Sequence, residues 1–327
     1  QSRLVNYNQV PTAVFERLVG QFGATQAVAI MASNVTSALA RSAGITLPYP
    51  SFTGTVSQAL RPFPQYQTID TGPHNGDKSG HSSYHAFLLR ADRRFSSGLT
   101  FQWSYLFSKL LTDSDTYFAN SATASMDHYN RGLEKSIGQY DRTHTLKFST
   151  LYNLPFGKGQ RWVTQGPLSH VVGGWRLSAI QVYGSGAPLA LTRNNPLSVL
   201  FNAQTRPLVD GYENWRAPIA GDSFDPNVDR FLRAANQFPA QPVGFGNATR
   251  YNPKLRGFWE MSENISLAKT FRVTEGMRVD LRAEAFNIFN RTIFSAGSTN
   301  LNSGNFGQVT SQTNDPRQLQ MGLKIYW

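Results

Sequence analysis

Gln320-Met-Gly-Leu-Lys-Ile-Tyr-Trp327, the last eight residues of the chain, alternate between two kinds of side chain. With the two residues before them, Leu319, Met321, Leu323, Ile325 and Trp327 fall on one parity, and Gln318, Gln320, Gly322, Lys324 and Tyr326 on the other. Successive side chains of a strand point to opposite faces, so this reads as a strand with one apolar and one mainly polar face. A soluble sandwich edge can alternate in this way. So can a strand of a membrane barrel, apolar toward lipid and polar toward the lumen. What decides between them is how often the pattern recurs and how its copies are joined.

The pattern recurs upstream. His85, Phe87, Leu89, Ala91 and Phe95 oppose Tyr84, Ala86, Arg90, Asp92 and Arg94, and Ser96-Ser-Gly98 turns the chain. Leu99, Phe101, Trp103, Tyr105 and Phe107 then oppose Thr100, Gln102, Ser104 and Ser108. A third strand over 143–156 sets Leu146, Phe148, Tyr152 and Leu154 against Thr145, Lys147, Ser149 and Asn153, and closes on the turn signal Pro155-Phe-Gly-Lys-Gly159. The fourth, over 175–185, is blurred, because Ile180 and Val182 share the parity of Arg176 and Ser178. The fifth opposes Trp259, Met261, Ile265, Leu267 and Phe271 to Glu260, Ser262, Asn264 and Ser266. Thr274-Glu-Gly276 leads into the sixth, where Met277, Val279, Leu281, Ala283 and Ala285 oppose Arg278, Asp280, Arg282 and Glu284.

The connections alternate in length. Those near 96–98, 157–172 and 273–276 are short or moderate; those near 110–141, 187–257 and 291–316 are long and rich in Asn, Ser, Gly, Thr and Pro. Membrane barrels keep short turns on the periplasmic side and long loops outside. Counted back from a periplasmic C-terminus, every short connection falls inside and every long one outside. Loops this long are uncommon in compact domains. The expected fold is therefore all-β, an antiparallel transmembrane barrel whose strands occupy 82–327. Phe101, Trp103, Tyr105, Phe107, Leu267, Leu281 and Leu323 are expected to face lipid. Phe95, Phe101, Trp175, Phe271 and Trp327 are expected at the periplasmic rim and Trp259 at the outer one, as interfacial girdles. Seven strands are an odd number, so residues 1–81 start outside. They read as an extracellular region after a truncated strand whose outer end is Gln1–Asn8, with a helical excursion over 11–43. The chain opens without Met or an apolar leader and is read as the C-terminal part of a larger barrel.

Composition excludes several classes. No run of about 18 apolar residues is present, so no transmembrane helix is expected. Cysteine is absent, which removes disulfides and thiolate chemistry. The formal net charge of +11 is spread over single positions such as Arg90, Lys147, Arg176, Arg282 and Lys324, with no basic run. A polar lumen and loops facing anionic lipopolysaccharide account for it, and no nucleic-acid partner is expected. The histidines (74, 81, 85, 128, 144 and 170) show no paired-ligand spacing. Asp225-Pro-Asn-Val-Asp229 starts like a calcium loop but lacks its glycine and glutamate, so it reads as turn chemistry. Asp113 and Asp115 read as solvated. No catalytic residue, metal site or cofactor is expected, and the chain is not read as an enzyme.

The ordered motifs resemble an Oar-like, acidobacterial-type TonB-dependent outer-membrane transporter. They run from Tyr84-His-Ala-Phe87 and Arg94-Phe-Ser-Ser-Gly-Leu-Thr-Phe101 through Asp141-Arg-Thr-His144, Leu154-Pro-Phe-Gly-Lys-Gly159 and Gly173-Gly-Trp-Arg-Leu-Ser178. They continue with Gly184-Ser-Gly-Ala-Pro188, Arg282-Ala-Glu-Ala-Phe-Asn287 and Asp315-Pro-Arg-Gln-Leu-Gln320. Together they cover most of 45–327. The final strand resembles the signal read by the bacterial barrel-assembly machinery, carried by Gln320, Gly322, Ile325 and Trp327; the terminal Trp stands where the family more often has Phe. The resemblance implies a barrel of roughly 22 strands in the bacterial outer membrane, contacting lipid and lipopolysaccharide. It implies active uptake of a scarce, unknown solute, be it glycan, peptide or metal chelate. It also implies coupling to the TonB protein through an N-terminal part, since nothing here resembles the plug, the coupling box or the N-terminal regulatory-like domain. The alternative is a structural or adhesive barrel whose long loops bind other proteins.

Overall fold

The computed structural model describes residues 3–70, 79–95, 97–114, 123–195, 205–221, 223–274 and 276–327. Seven long strands form one antiparallel meander: β1 (Ser82–Arg94), β2 (Leu99–Thr112), β3 (His144–Asn153), β4 (Trp175–Gly184), β5 (Glu260–Arg272), β6 (Arg278–Phe286) and β7 (Gln318–Tyr326). Each pairs with its sequence neighbours, and the short strand Ser136–Ile137 adds to the end of β2. The alternating segments of the sequence correspond to these strands within a few residues. Among the described residues β1 and β7 are the open edges. Both are odd-numbered in a meander and run in the same direction.

Residues directly opposed in an antiparallel ladder share a face. Phe101, Thr150, Ala179, Ile265, Ala285 and Leu319 form one such row across six strands. Leu99, Tyr152, Leu177, Leu267, Ala283 and Met321 form another. The apolar parities of all seven strands thus merge into one continuous face. The register also places Ile180 and Val182 among Ser149, Lys147, Asn264 and Ser262 on the opposite face, so the blur in β4 is real.

The strand connections sort by end. At the turn end lie 95–98, 154–174 and 273–277; at the cap end lie 113–143, 185–259 and 287–317. The Pro155–Gly159 signal forms a tight turn, with Gly157 donating its N–H to the Trp162 carbonyl at 3.0 Å. Gly157 has φ 98°, and a Cβ there would stand 2.4 Å from Gly173 Cα, so the two motifs meet backbone to backbone. Helix α5 (Pro167–Val172) completes this connection.

Hydrophobic burial is inverted relative to a soluble β-protein. Among the described residues, every large buried hydrophobic side chain lies outside the seven strands. Apart from a glycine, the buried positions within them are Ser108, Thr112, Glu263 and Lys269. The apolar core sits instead at the cap end, in two clusters. One joins helices α1 (Thr12–Phe22), α2 (Ala24–Ala32), α3 (Ala38–Ser42) and α4 (Val56–Ala59), through Phe15, Leu18, Ile30, Met31 and Val56. Val243 and Phe245 of the long 185–259 connection pack against it. The other gathers Leu191, Trp215, Phe231, Leu232, Phe238, Leu255 and Phe306 from two long connections. The helical excursion expected over 11–43 is present, and it shares its core with a strand connection.

The start of the chain departs from expectation. Arg3–Leu4 pairs in parallel with Thr123–Ala124, outside the large sheet, and Asn6 bridges Asp70. Val5 is buried, and the Asn8 amide donates to Phe63 O at 2.9 Å and Tyr66 O at 2.8 Å. This segment is an inserted part of the cap rather than the outer end of an eighth strand.

Candidate functional site: the cap and the apolar face

The cap is tied to the sheet through the Asp141-Arg-Thr-His144 motif. Asp141 is 1% exposed at its side chain, pairs with Arg256, and accepts the Leu110 N–H at 2.6 Å. Arg256 also donates to the carbonyls of Asp141 (3.1 Å) and Gly186 (3.2 Å). Arg142 pairs with Glu260 at 2.6 Å. His144 enters an aromatic cluster: its Nδ1 shares a hydrogen bond with the Tyr105 hydroxyl at 2.8 Å, and its ring lies 5.3 Å from Phe107 and 6.4 Å from Trp259. Asp141, Arg142 and His144 therefore bind two long connections to the mouth of the sheet. The resemblance marked this motif, but alternation alone assigned it no role.

Deeper in the cap, Glu134 and Arg206 form a buried fork, with N–O distances of 3.1 and 3.2 Å. Arg206 also donates to Ala248 O at 2.8 Å and Leu133 O at 2.9 Å, and Glu134 accepts from Met126 N at 2.8 Å. A buried charge is tolerated only when its capacity is filled in this way. Nearby, burial and the adjacent Asp127 carboxylate push the Tyr129 hydroxyl pKa above its ordinary value.

Between α1 and the Pro242–Gly246 segment lies a cavity of about 650 Å³, lined also by Asp127, Asn130 and Leu133. Arg193 holds its far wall, donating to Pro242 O at 2.6 Å and to Gly244 O. Burial holds the pKa of this guanidinium below its ordinary value. Asp225-Pro-Asn-Val-Asp229 is a turn: Asp225 Oδ1 accepts from Asn227 N at 2.9 Å, and Asp229 accepts from Ala220 N and Asp225 N. Asp113 is not solvated as expected. Its carboxylate accepts the His81 N–H at 2.7 Å, pinning the entry to β1; Asp115 and His74 lie outside the described residues.

The register puts Phe101, Trp103, Tyr105, Phe107, Leu267, Leu281 and Leu323 on the one apolar face. Large side chains stand uncovered on it: Phe87, Phe107, Leu319, Met321 and Leu323 are all exposed. At its turn end are Phe95, Trp175, Phe271 and Trp327. Four charged residues share this parity and break the alternation: Arg93 and Lys109, which are exposed, and Glu263 and Lys269, which are buried. Lys269 donates to the His170 and Val171 carbonyls at 2.7 and 2.6 Å, at the C-terminal end of α5, and lies over the Trp175 and Phe271 rings. Glu263, with no exposed surface, accepts from Arg291 Nε at 2.8 Å. The two buried charges are thus matched from flanking connections, which alternation within a strand cannot reveal.

A continuous apolar face with no protein core beneath it is the arrangement a lipid solvent demands. Comparison with protein-family models agrees: the model described as an outer membrane beta barrel domain matches residues 1–320. The chain belongs to the outer-membrane β-barrel family. Its location is the bacterial outer membrane. A comparison with curated proteins finds no match.

Within this barrel sheet, Gln320 and Gly322 of the assembly-type signal lie opposite Glu284 and Arg282 on the polar face, and Ile325 lies opposite Val279 on the apolar one. Trp327 projects beyond β7 at 95% exposure. Little of it packs on protein, so deleting it should cost the refolded barrel only the interfacial lipid contact of one side chain. In cells the deletion should abolish membrane insertion and leave periplasmic aggregate, because an unpaired apolar strand invites association. Trp327→Phe should be silent. Normal outer-membrane levels of the deletion, measured by fractionation, would show that the terminus is not an assembly signal.

Proposed function

We propose that the chain forms barrel wall and outer cap of a TonB-dependent receptor of the Oar-like type, taking up a scarce solute across the outer membrane. The observation that carries this reading is the cap. Its long connections are not loose loops: they hold the buried hydrophobic cores, are cross-tied by the Asp141–Arg256 and Glu134–Arg206 pairs, and border an open cleft. A preorganised outer surface supports capture of a specific ligand. The motif order supports the subtype. Strand direction supports a larger barrel, because β1 and β7 run alike and only an odd number of further strands closes the sheet with antiparallel pairs throughout. A barrel of roughly 22 strands meets that condition. The polar face, with Arg94, Arg176, Arg278, Arg282 and Lys324 toward the turn end, then lines the lumen. Barrel-assembly machinery, lipopolysaccharide and the TonB protein are the partners of this reading.

Orientation is tested first. Cysteines introduced at Tyr140 and Val228, both more than 70% exposed, and at Thr310 should react with a bulky thiol label on intact cells. Cysteines at Ser97 and Val273, on the turn end, should react only after permeabilisation. The inverse pattern would overturn the topology. Uptake is tested by accumulation of solute in cells expressing the protein, with and without the proton gradient. Surface display without energy-dependent accumulation would favour a structural or adhesive barrel.

A further inference from the structure

The cavity beneath α1 carries a statement about ligand chemistry. Its walls come from three stretches distant in sequence, and each is fixed. Asp127 accepts from the Gln9 amide at 2.9 Å and from Tyr129 N at 2.9 Å. Gly246 N donates to Arg206 O at 3.2 Å, and Arg193 clamps the Pro242–Gly244 carbonyls. The cavity is therefore built before a ligand arrives, and its volume of about 650 Å³ lies in the range of small-molecule sites.

Its lining is mainly apolar, with Phe15, Val19, Val243 and Phe245 among the walls. The ionisable side chains that line it, among the described residues, are Glu16 and Asp127; no Lys, Arg or His does so. This is notable in a chain of net charge +11. Glu16 is exposed on α1 and has no ion-pair partner among the described residues. Asp127 is 5% exposed, and the donor described near its Oδ2 is the Thr12 hydroxyl at a long 3.5 Å. A buried carboxylate oxygen so weakly served, at the wall of a cavity, has capacity for a charge-assisted hydrogen bond.

We propose that this cavity binds a compact cationic amphiphile: the end of a short peptide presenting a hydrophobic side chain beside an ammonium or guanidinium group. The apolar part packs against Val19 and Phe245, and the cation lies between Glu16 and Asp127. Anionic chelates and phosphorylated ligands are disfavoured by the same two carboxylates. The inference rests on the reading that the cap faces the medium, and it names the class of solute captured there.

The test is calorimetric titration of the full-chain protein in detergent with N-acetyl-Leu-Lys-Phe amide, whose lysine carries the only cation, against N-acetyl-Leu-Glu-Phe amide as control. The lysine peptide should bind at least about tenfold more tightly, and added salt should narrow the gap. Glu16→Lys, at an exposed helix position, should reverse the preference while leaving the fold intact. Val19→Trp, which fills the cavity, should abolish binding of both peptides. Equal binding of the two peptides, or affinities unchanged by both substitutions, would overturn the proposal. Energy-dependent accumulation of some solute without lysine-peptide binding would refute this inference alone. Lysine-peptide binding without accumulation would refute uptake and leave the site standing.

Discussion

Replacing Arg291 by leucine should cost the folded barrel about 3 kcal/mol, the low end of the range for removing one partner of a buried pair. The reason is Glu263. Its carboxylate has no exposed surface, it sits on the apolar face of β5, and Arg291 supplies its ion pair from the connection after β6. Without Arg291 the carboxylate must stay charged in an apolar setting or take up a proton, and both are costly. The low end applies because Arg291 itself is 41% exposed, so water reaches the outer side of the pair. The double replacement Glu263→Leu with Arg291→Leu should recover part of the loss, since it removes both charges while the Tyr183 hydroxyl loses its Glu263 partner. Urea titration of the barrel refolded in lipid vesicles measures all three variants. A double variant no more stable than Arg291→Leu would mean that the arginine acts through packing on Phe289, which its guanidinium covers at 5.3 Å.

Trp103→Arg should destabilise by about 2–4 kcal/mol, the cost of a cation on the lipid face near mid-bilayer. Gln102→Arg, one residue away, should be mild. The contrast follows from register: Trp103 stands opposite Ala91 and Phe148, whereas Gln102 stands opposite Asp92 and Ser149 on the polar face. Asp92 is near enough to accept a new arginine, and Arg90 already pairs with it at 2.7 Å. The same lipid refolding assay separates the two, and comparable losses at both positions would refute the facing of the sheet.

These two predictions draw on different levels of the molecule. The facing of Trp103 is legible in the sequence because strand alternation is local: neighbours along one strand reveal its two faces, and seven strands repeat the lesson. The meander followed from the same reading, since short connections demand antiparallel neighbours. The pairing of Glu263 was not legible. Its partner lies 28 residues away, in a connection with no period to read. Lys269 is the same case, with carbonyl partners 98 and 99 residues distant.

The cap shows the limit most clearly. Its composition, rich in Asn, Ser, Gly, Thr and Pro, reads as solvated loop, yet Leu191, Trp215, Phe231, Leu232 and Phe306 close into a core there. Irregular backbone carries its hydrophobic residues at no fixed spacing, so only three-dimensional proximity shows that they meet. The Glu134–Arg206 fork spans 72 residues, and the cavity draws on three separate stretches. By itself the sequence determined the strands, their lipid-type and lumen-type faces and the alternation of their connections, because these follow from a period of two repeated along short segments. The tertiary structure alone decided the cap, its ion pairs and its cavity, because these depend on contacts between segments whose separation no local pattern encodes.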